Sequence, residues 1–144
     1  MKVSTKGRYG LRAMLDMALH QNEGPMAVHI VAERQGLSER YLEQLMVPLK
    51  KAGLVKSVRG PQGGYVLTKK PRDITVGEII RALEGPIAPV DCVSEQTPEE
   101  CERAEFCVTR LIWSKMRDSI AEVLDSLSLE DLIQESRKIS VRSR

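Results

Sequence analysis

The sequence predicts a mainly α-helical chain that carries one small β-hairpin. Two observations predict this fold class. Apolar residues recur every three or four positions through much of the chain, which is the spacing of helices with one buried face. Residues 54–68 depart from that spacing, because two short runs rich in β-branched residues flank a glycine-rich tip.

Three helices are predicted in the first third of the chain, at about residues 5–21, 28–35 and 39–52. Ser4 or Thr5 can cap the first helix, and Ser38 can cap the third. Pro48 lies inside the third helix, where it removes a backbone hydrogen bond, and we expect it to kink the end of that helix.

The second and third helices have the spacing of a helix-turn-helix. Ala32 allows two helices to cross closely, and Gly36 suits the positive φ that the turn requires. Leu37 is the apolar residue that the motif requires directly after the turn glycine. Leu42 and Leu45, three positions apart, allow one face of the third helix to be buried. A generic pair of antiparallel helices is the alternative interpretation of this spacing.

If the motif is correct, the third helix lies in the major groove of DNA. Its polar face carries Glu39, Arg40, Tyr41, Glu43 and Gln44. Gln44 can pair with adenine through two hydrogen bonds, and Glu43 can accept a hydrogen bond from cytosine N4. Glu43 facing solvent without a base contact is the alternative.

The β-rich runs, 54–59 and 65–68, predict a hairpin that forms the wing of a winged helix-turn-helix. At its tip, Arg59 precedes Gly60 in a segment with few bulky side chains, so Arg59 can enter a narrow minor groove. Lys56 is placed to meet a phosphate. A flexible surface hairpin is the alternative, whereas the missing Gly-Lys-Ser/Thr argues against a nucleotide-binding loop.

The rest of the chain predicts a helix, a long loop and a further long helix. A short helix at 75–83 precedes residues 86–107, which lack periodicity and contain three prolines. A long apolar stripe follows at 108–127, then a brief helix to about Glu135. The expected segments are a winged helix-turn-helix DNA-binding domain (1–84), a cysteine-bearing loop (85–107), a dimerisation helix followed by a short terminal helix (108–136), and a flexible basic tail (137–144).

Composition and charge fit a DNA-binding chain. Residues 1–70 hold twelve Lys and Arg against five Asp and Glu, whereas residues 71–144 hold ten against fifteen. A basic half suits binding to a polyanion such as DNA. A basic surface that only faces solvent is the alternative interpretation of this charge. No apolar run approaches the roughly 20 residues that span a bilayer, and residues 1–10 lack the apolar stretch of a signal peptide. We therefore expect a cytoplasmic protein.

Two sequence stretches carry a specific family resemblance: Tyr-Leu-Glu-Gln-Leu at residues 41–45 and Arg-Gly-Pro-Gln-Gly-Gly-Tyr at residues 59–65. Shorter matches lie at residues 4–10, 37–38, 53–55, 57–58 and 76–80. Over about residues 1–130 the chain resembles the Rrf-two superfamily of bacterial transcription regulators, which includes the IscR, NsrR and CymR branches.

This resemblance implies a homodimer, a repressor in the simplest case, that binds a pseudo-palindromic DNA operator. The residues implied to contact DNA are Ser38, Arg40, Tyr41, Glu43, Gln44 and Arg59, and the hairpin analysis adds Lys56 and Gly60. The resemblance also implies that the helix beginning near Val108 is the dimerisation element.

All three cysteines lie in the long loop and at its end. Eight residues separate Cys92 from Cys101, and five separate Cys101 from Cys107. Thiolates are soft ligands that suit iron–sulfur clusters and zinc. A zinc site would need a fourth Cys or His, and no His follows Pro71. A thiol-redox switch and three unrelated thiols are the alternatives.

The family resemblance favours an iron–sulfur cluster, with 2Fe-2S as the first expectation and 4Fe-4S as the second. IscR-like members commonly place five residues between the last two cysteines, as here. The chain departs from them in a longer first gap and in Arg110, which replaces a ligating His. NsrR-like members use an acidic residue where this chain has Arg8. The fourth ligand therefore stays open among a distant His, an external molecule and the loop carboxylates Asp91, Glu99, Glu100, Glu102 and Glu105.

The leading functional hypothesis is a transcription regulator that senses iron, cluster supply, redox state or nitric oxide through a cluster. One alternative keeps the DNA binding but makes the cysteines a direct thiol switch. Another is a CymR-like regulator controlled by binding a metabolic enzyme, although CymR-like proteins generally lack these cysteines. An enzyme is least expected, because no constellation of acid, base and nucleophile is present.

Overall fold

The computed structural model describes residues 2–96 and 98–142, with side chains as far as residue 140. Its helices are α1 (Thr5–Leu19), α2 (Val28–Gln35), α3 (Glu39–Lys51), α4 (Val76–Glu84), α5 (Val108–Asp125) and α6 (Leu129–Arg142). Its strands are β1 (Val55–Val58) and β2 (Gly64–Leu67), which pair as one antiparallel hairpin. Short 3-10 turns lie at Gln21–Glu23, Pro71–Asp73 and Asp91–Val93. The predicted fold class, mainly helical with one hairpin, is confirmed.

The core lies where α1, α3 and α4 meet, and α6 folds back onto α1 to complete it. The predicted stripes supply its side chains, since Met14 of α1 and Leu42 and Leu45 of α3 are almost fully buried. Burying each such side chain stabilises the fold by about 1.5–3 kcal/mol before conformational entropy is counted. Leu129 and Ile133 of α6 join the same core.

The turn between α2 and α3 is formed as the sequence predicts. Gly36 has a φ of 67°, which a residue without a Cβ adopts at little cost. The Ser38 hydroxyl caps α3 by accepting a hydrogen bond from the Tyr41 N–H at 3.1 Å. The helix continues through Pro48 as far as Lys51 before the chain turns at Gly53.

A buried ion pair fixes α1 against the end of α2. Asp16 is only 4% exposed, and its carboxylate accepts hydrogen bonds from Arg34 Nε at 3.0 and 3.1 Å. It also accepts one from Gln35 Nε2 at 2.8 Å. This pairing with Asp16 is the main cause that raises the pKa of Arg34. A buried carboxylate must be paired in this way, because an isolated one is costly.

The hairpin is joined to the connection between α1 and α2. Met26 and Tyr65 exchange two backbone hydrogen bonds of 2.9 Å and so form an isolated antiparallel β-bridge beside β2. A Cβ at Gly64 would lie 2.1 Å from the Met26 carbonyl oxygen, so only glycine permits this approach. The hairpin is therefore held against the helix-turn-helix rather than projecting alone.

The C-terminal end differs from the sequence prediction. A brief helix to about Glu135 and a flexible tail from 137 were expected, but α6 continues to Arg142. A side-chain pair beyond the predicted end contributes to this extension, because Lys138 pairs with Glu135 at 3.0 Å. Residues 143 and 144 of the predicted tail lie outside the described residues.

Helix α5 lies on the outside of the molecule. None of its residues is fully buried, and Val108, Ile112 and Val123 are each more than half exposed. Such an apolar helix face normally packs against another surface. In the part of the chain that the structure describes, no helix has the length and apolar character needed to cross a membrane.

Candidate nucleic-acid interface and cysteine segment

The exposed face of α3 carries the predicted base-reading residues. Arg40, Glu43 and Gln44 are exposed, on the side of the helix away from the buried Leu42 and Leu45. Ser38 is also exposed, but its hydroxyl is engaged as the N-cap. The helix therefore presents a polar surface at its N-terminal half, which is the part that a recognition helix inserts into the major groove.

Tyr41 is partly buried beside α1. Its ring meets the Tyr9 ring edge-to-face, with ring centroids 6.2 Å apart and an interplanar angle of 86°. The guanidinium groups of Arg8 and Arg12 lie 5.7 and 5.4 Å from the centre of the Tyr9 ring. The side chain of Tyr41 therefore has a packing role, and two arginines lie beside the aromatic pair.

Glu43 is tied to the hairpin. The Tyr65 hydroxyl of β2 donates a hydrogen bond to Glu43 Oε2 at 3.1 Å. Burial raises the pKa of Tyr65, and the negative charge of Glu43 raises it further. Glu43 therefore has a partner within the protein, which neither sequence-based alternative, a base contact or a solvated carboxylate, included.

The hairpin tip is open to solvent. Lys56, Arg59 and Gly60 are exposed, and Gly60 has a φ of 111° that allows the sharp turn. Among the described residues, Arg59 has no ion pair. Behind the tip, Lys50 of α3 donates to the Ser57 hydroxyl at 3.2 Å, which connects the recognition helix to β1.

Sequence reasoning missed Val47 on the same exposed face. It lies one turn after Glu43 and is 65% exposed, an unusual position for a β-branched apolar side chain. Val47 follows Arg40 by seven positions and Glu43 by four, and this spacing indicated that it shares their face of the helix. An apolar side chain at this place suits contact with a thymine methyl group.

The three cysteines are free thiols of residues 85–107, here called the cysteine segment, in the acidic half of the chain. Cys92 lies in the 3-10 turn Asp91–Val93, Cys101 is exposed, and Cys107 precedes α5 as its N-cap residue. The Thr109 hydroxyl, 3.1 Å from Cys107 Sγ, is the main cause that lowers the pKa of this thiol. The backbone N–H of Arg110 in the first turn of α5 lowers it further.

Arg110 connects Cys92 with the start of α5. Its Nη2 donates to the Cys92 carbonyl oxygen at 3.4 Å, while its buried Nε has no partner among the described residues. Two of the cysteines are thus brought to the same end of α5. Across residues 2–96 and 98–142, however, no three Cys, His, Asp or Glu side chains are grouped so that they could hold a metal ion.

The donor chemistry of this segment still fits an iron–sulfur cluster. Its three thiols are soft donors, none is consumed in a disulfide, and the helix terminus at Cys107 favours the thiolate form. Because the three thiols are not grouped in the described part of the chain, closing them around one centre requires this segment to rearrange. Neither histidine belongs to this segment: His20 bonds the Asp16 carbonyl oxygen at 2.8 Å, and His29 lies on α2.

Arg81 joins three parts of the chain. From α4 it donates to both carboxylate oxygens of Glu95, at 2.8 and 2.9 Å. It also donates to both oxygens of Asp125 at the end of α5, at 2.6 and 3.0 Å. Glu95 follows Cys92 by three residues, so Arg81 connects the helix-turn-helix domain with the cysteine segment and with α5.

The inner side of α5 borders an open apolar groove of about 560 Å³. Ile120 and Leu124 line it from α5, and Ile80 lines it from α4. Ile87 and Pro89 of the following segment complete the apolar wall. The groove lies beside the exposed face of α5 and is large enough to accept apolar side chains from another helix.

A capped recognition helix, a basic hairpin tip and an apolar outer helix define a winged helix-turn-helix transcription regulator. A family model described as "Rrf2: Iron-dependent Transcriptional regulator" matches residues 3–135. The chain belongs to this Rrf2 family, the superfamily that the sequence resemblance indicated.

Relatives of this chain include regulators named IscR and CymR. The regulator IscR of Pectobacterium atrosepticum is 41% identical over 100% of this chain and 86% of its own length. The solved structure of T. potens IscR is 52% identical, with a TM-score of 0.77 over 94% of this chain and 88% of that one. The structure of CymR, the global cysteine regulator of B. subtilis, is 50% identical, with a TM-score of 0.76 over 94% and 98%. These names describe regulators rather than enzymes.

Proposed function

We propose that this protein is a homodimeric regulator whose DNA binding is controlled by an iron–sulfur cluster on Cys92, Cys101 and Cys107. The observation that carries the proposal is the connection between these cysteines and the DNA-binding domain. Arg81 links α4 to Glu95 beside Cys92, and Arg110 links Cys92 to the helix that Cys107 begins. A change in the cysteine segment therefore reaches both α4 and α5.

Dimerisation through α5 is supported by its exposed apolar face and by the groove beneath it. An apolar face of this extent favours association, and a two-fold dimer is the commonest arrangement. Two recognition helices related by a two-fold axis read a pseudo-palindromic operator. As a regulator of chromosomal genes, such a dimer would act in the bacterial cytoplasm.

The proposed DNA contacts divide by role. Arg40, Glu43 and Gln44 would meet base edges, and Lys56 would meet phosphate. Arg59 would enter the minor groove while Gly60 allows the hairpin tip to lie close to the DNA backbone. Ser38 and Tyr41 would position α3 as well as contact DNA, since both have structural partners.

The cluster would be held by the three thiolates and one further ligand. When bound, it would supply a redox-active and oxygen-labile centre, 2Fe-2S in the first instance and 4Fe-4S as the alternative. Arg110 has no acceptor or metal-binding lone pair at neutral pH, so it cannot replace a histidine ligand. We propose a carboxylate of the acidic loop as the fourth ligand, from the group Asp91, Glu99, Glu100, Glu102 and Glu105.

The direct test is the colour and iron content of anaerobically purified protein. We expect a reddish or brown protein whose visible absorbance disappears in Cys92→Ala, Cys101→Ala and Cys107→Ala, each still folded by circular dichroism. Ser119→Ala on the exposed side of α5 serves as the control and should retain the absorbance. A colourless wild-type protein without iron or sulfide after anaerobic reconstitution would exclude the cluster.

A metal-free thiol regulator is the second candidate, and the state of Cys107 favours it. Its thiol has a lowered pKa, and thiolates react with oxidants more readily than thiols. The similarity to CymR, titled a global cysteine regulator, agrees with this candidate. It predicts colourless protein whose operator affinity changes on peroxide treatment and returns with dithiothreitol, whereas the cluster proposal predicts iron-dependent affinity.

A further inference from the structure

We infer that Tyr65 sets the DNA sequence preference by holding Glu43 in one orientation. Its hydroxyl engages Glu43 Oε2 at 3.1 Å, while Oε1 makes no hydrogen bond with any described residue. The free oxygen is then available to accept from a base amino group in the major groove. Tyr65 is a positioning residue in this inference, since it acts on DNA through Glu43.

The position of Tyr65 is itself fixed by backbone contacts. It lies in β2 opposite Ser57 of β1, and its N–H and C=O both bond Met26 at 2.9 Å. The preceding residue, Gly64, is packed directly against the Met26 carbonyl oxygen. The Tyr65 ring also packs against the hydrophobic core, so its hydroxyl can serve as a fixed donor.

The charges on this pair keep the hydrogen bond in one direction. Tyr65 must donate, because an ionised carboxylate only accepts. Burial and the Glu43 charge raise the pKa of Tyr65, so its hydroxyl keeps its proton at neutral pH. The Glu43 carboxylate thereby has a donor before DNA arrives.

A fixed carboxylate favours selective binding to DNA. Near phosphates a free carboxylate is repelled and tends to turn away, which leaves only a weak preference among bases. An ionised Glu43 held toward the groove favours cytosine, whose N4 amino group donates, and disfavours bases that present only acceptors. The orientation that Tyr65 imposes therefore converts an unfavourable charge into discrimination between base pairs.

This inference rests on the proposed DNA-binding role of α3, and the experiment separates the two. Wild-type protein is first used to select binding sequences from random duplexes. Dissociation constants are then measured by fluorescence anisotropy for the selected duplex and for duplexes in which each cytosine of the half-site is replaced. The variants are Tyr65→Phe, Glu43→Ala and the double variant, with Tyr9→Phe as the matched loss of one phenol hydroxyl elsewhere.

We expect Tyr65→Phe to stay folded and to bind DNA. Its preference for cytosine at one position should fall about fivefold, which is part of the about tenfold or greater preference that one good base contact provides. In the Glu43→Ala background, Tyr65→Phe should have no further effect on the ratio of the dissociation constants for the cytosine-replaced duplex and the selected duplex. Tyr9→Phe should leave it unchanged.

Three outcomes would overturn the inference while leaving DNA binding intact. They are an unchanged ratio in Tyr65→Phe, an unchanged ratio in Glu43→Ala, and effects of the two substitutions that simply add. If wild-type protein enriches no sequence at all, the proposed DNA-binding function itself fails. A Tyr65→Phe variant that loses its thermal transition would make the hydroxyl structural, which also contradicts a positioning role.

Discussion

Arg81 and Glu95 form a two-bonded ion pair, with N–O distances of 2.8 and 2.9 Å. The pair joins α4 to the cysteine segment three residues after Cys92. The Ile87 N–H also donates to Glu95 at 2.9 Å, so the same carboxylate joins the two ends of residues 87–95. A single side chain thereby closes this part of the cysteine segment and attaches it to the helix-turn-helix domain.

The Arg81–Glu95 pair predicts an acid-sensitive contribution to stability. Pairing with Arg81 lowers the pKa of Glu95 from its ordinary value of 4.5. The contribution is therefore fully present above pH 4.5 and is lost as the pH falls through the lower folded-state pKa. Urea unfolding of wild type and Glu95→Gln should differ at pH 7 and converge at acidic pH. If the unfolding free energies of the two proteins differed by the same amount at every pH, the ion pair would not be the source of that difference.

The same pair predicts that Arg81 holds the cysteine segment in place. Arg81→Gln should leave the helices folded and should speed hydrogen exchange at residues 86–96, because it removes the partner of both Glu95 and Asp125. Lys69→Gln, which removes an exposed ion pair with Glu78, is the control. Equal exchange in the two variants would show that Arg81 does not hold the segment.

Asp16→Ala should destabilise the helix-turn-helix domain by about 2 kcal/mol. Breaking a buried ion pair typically costs more than this, but the Arg34 side chain is 31% exposed and can reach water once its partner is removed. Urea unfolding at pH 7 measures the change, with Asp73→Ala, an exposed aspartate without an ion pair among the described residues, as the control. A loss equal to that of the control would contradict the buried pair.

Replacing both Ile120 and Leu124 with Asp should separate the dimer. Both side chains line the groove beneath α5, and charges placed in an apolar interface are costly without partners. Sedimentation should show monomers, while Glu122→Gln on the exposed side should stay dimeric. A folded dimer of the double variant would place the interface elsewhere.

Arg59→Ala should weaken binding to a specific operator by about tenfold, the lower range for loss of one good DNA contact. Because Arg59 has no ion pair among the described residues, folding should be unaffected. Binding isotherms at one salt concentration measure the effect, with Arg137→Ala as the charge-matched control. Unchanged affinity would remove the hairpin tip from DNA recognition.

Arg110→His should lengthen the lifetime of the proposed cluster in air. The substitution supplies an imidazole at the turn of α5 that follows Cys107, next to the Cys92 backbone. Loss of visible absorbance after exposure to air measures the lifetime, and Arg110→Gln controls for removal of the guanidinium. Equal decay in both variants would exclude His at this place as a ligand.

Local patterns predicted the helices, the turn and the hairpin, because caps, glycines and apolar spacing act within a few residues. They predicted α6 too short, since its last turns are polar and gain from pairs such as Glu135 with Lys138. The Tyr65–Glu43 and Arg81–Asp125 contacts join residues 22 and 44 positions apart. No short-range pattern contains such contacts, so the partners of the candidate site residues could not be predicted from the sequence.

The backbone bridge between Met26 and Tyr65 fixes the hairpin to the segment before α2, and the Tyr65–Glu43 hydrogen bond joins it to the recognition helix. A DNA-binding surface that is already shaped loses little conformational freedom when it docks. It also has little capacity to reshape itself for operators of different geometry. In the proposed dimer, adaptation to unlike half-site spacings would then come from the junction between α4 and α5, which Arg81 joins through Asp125.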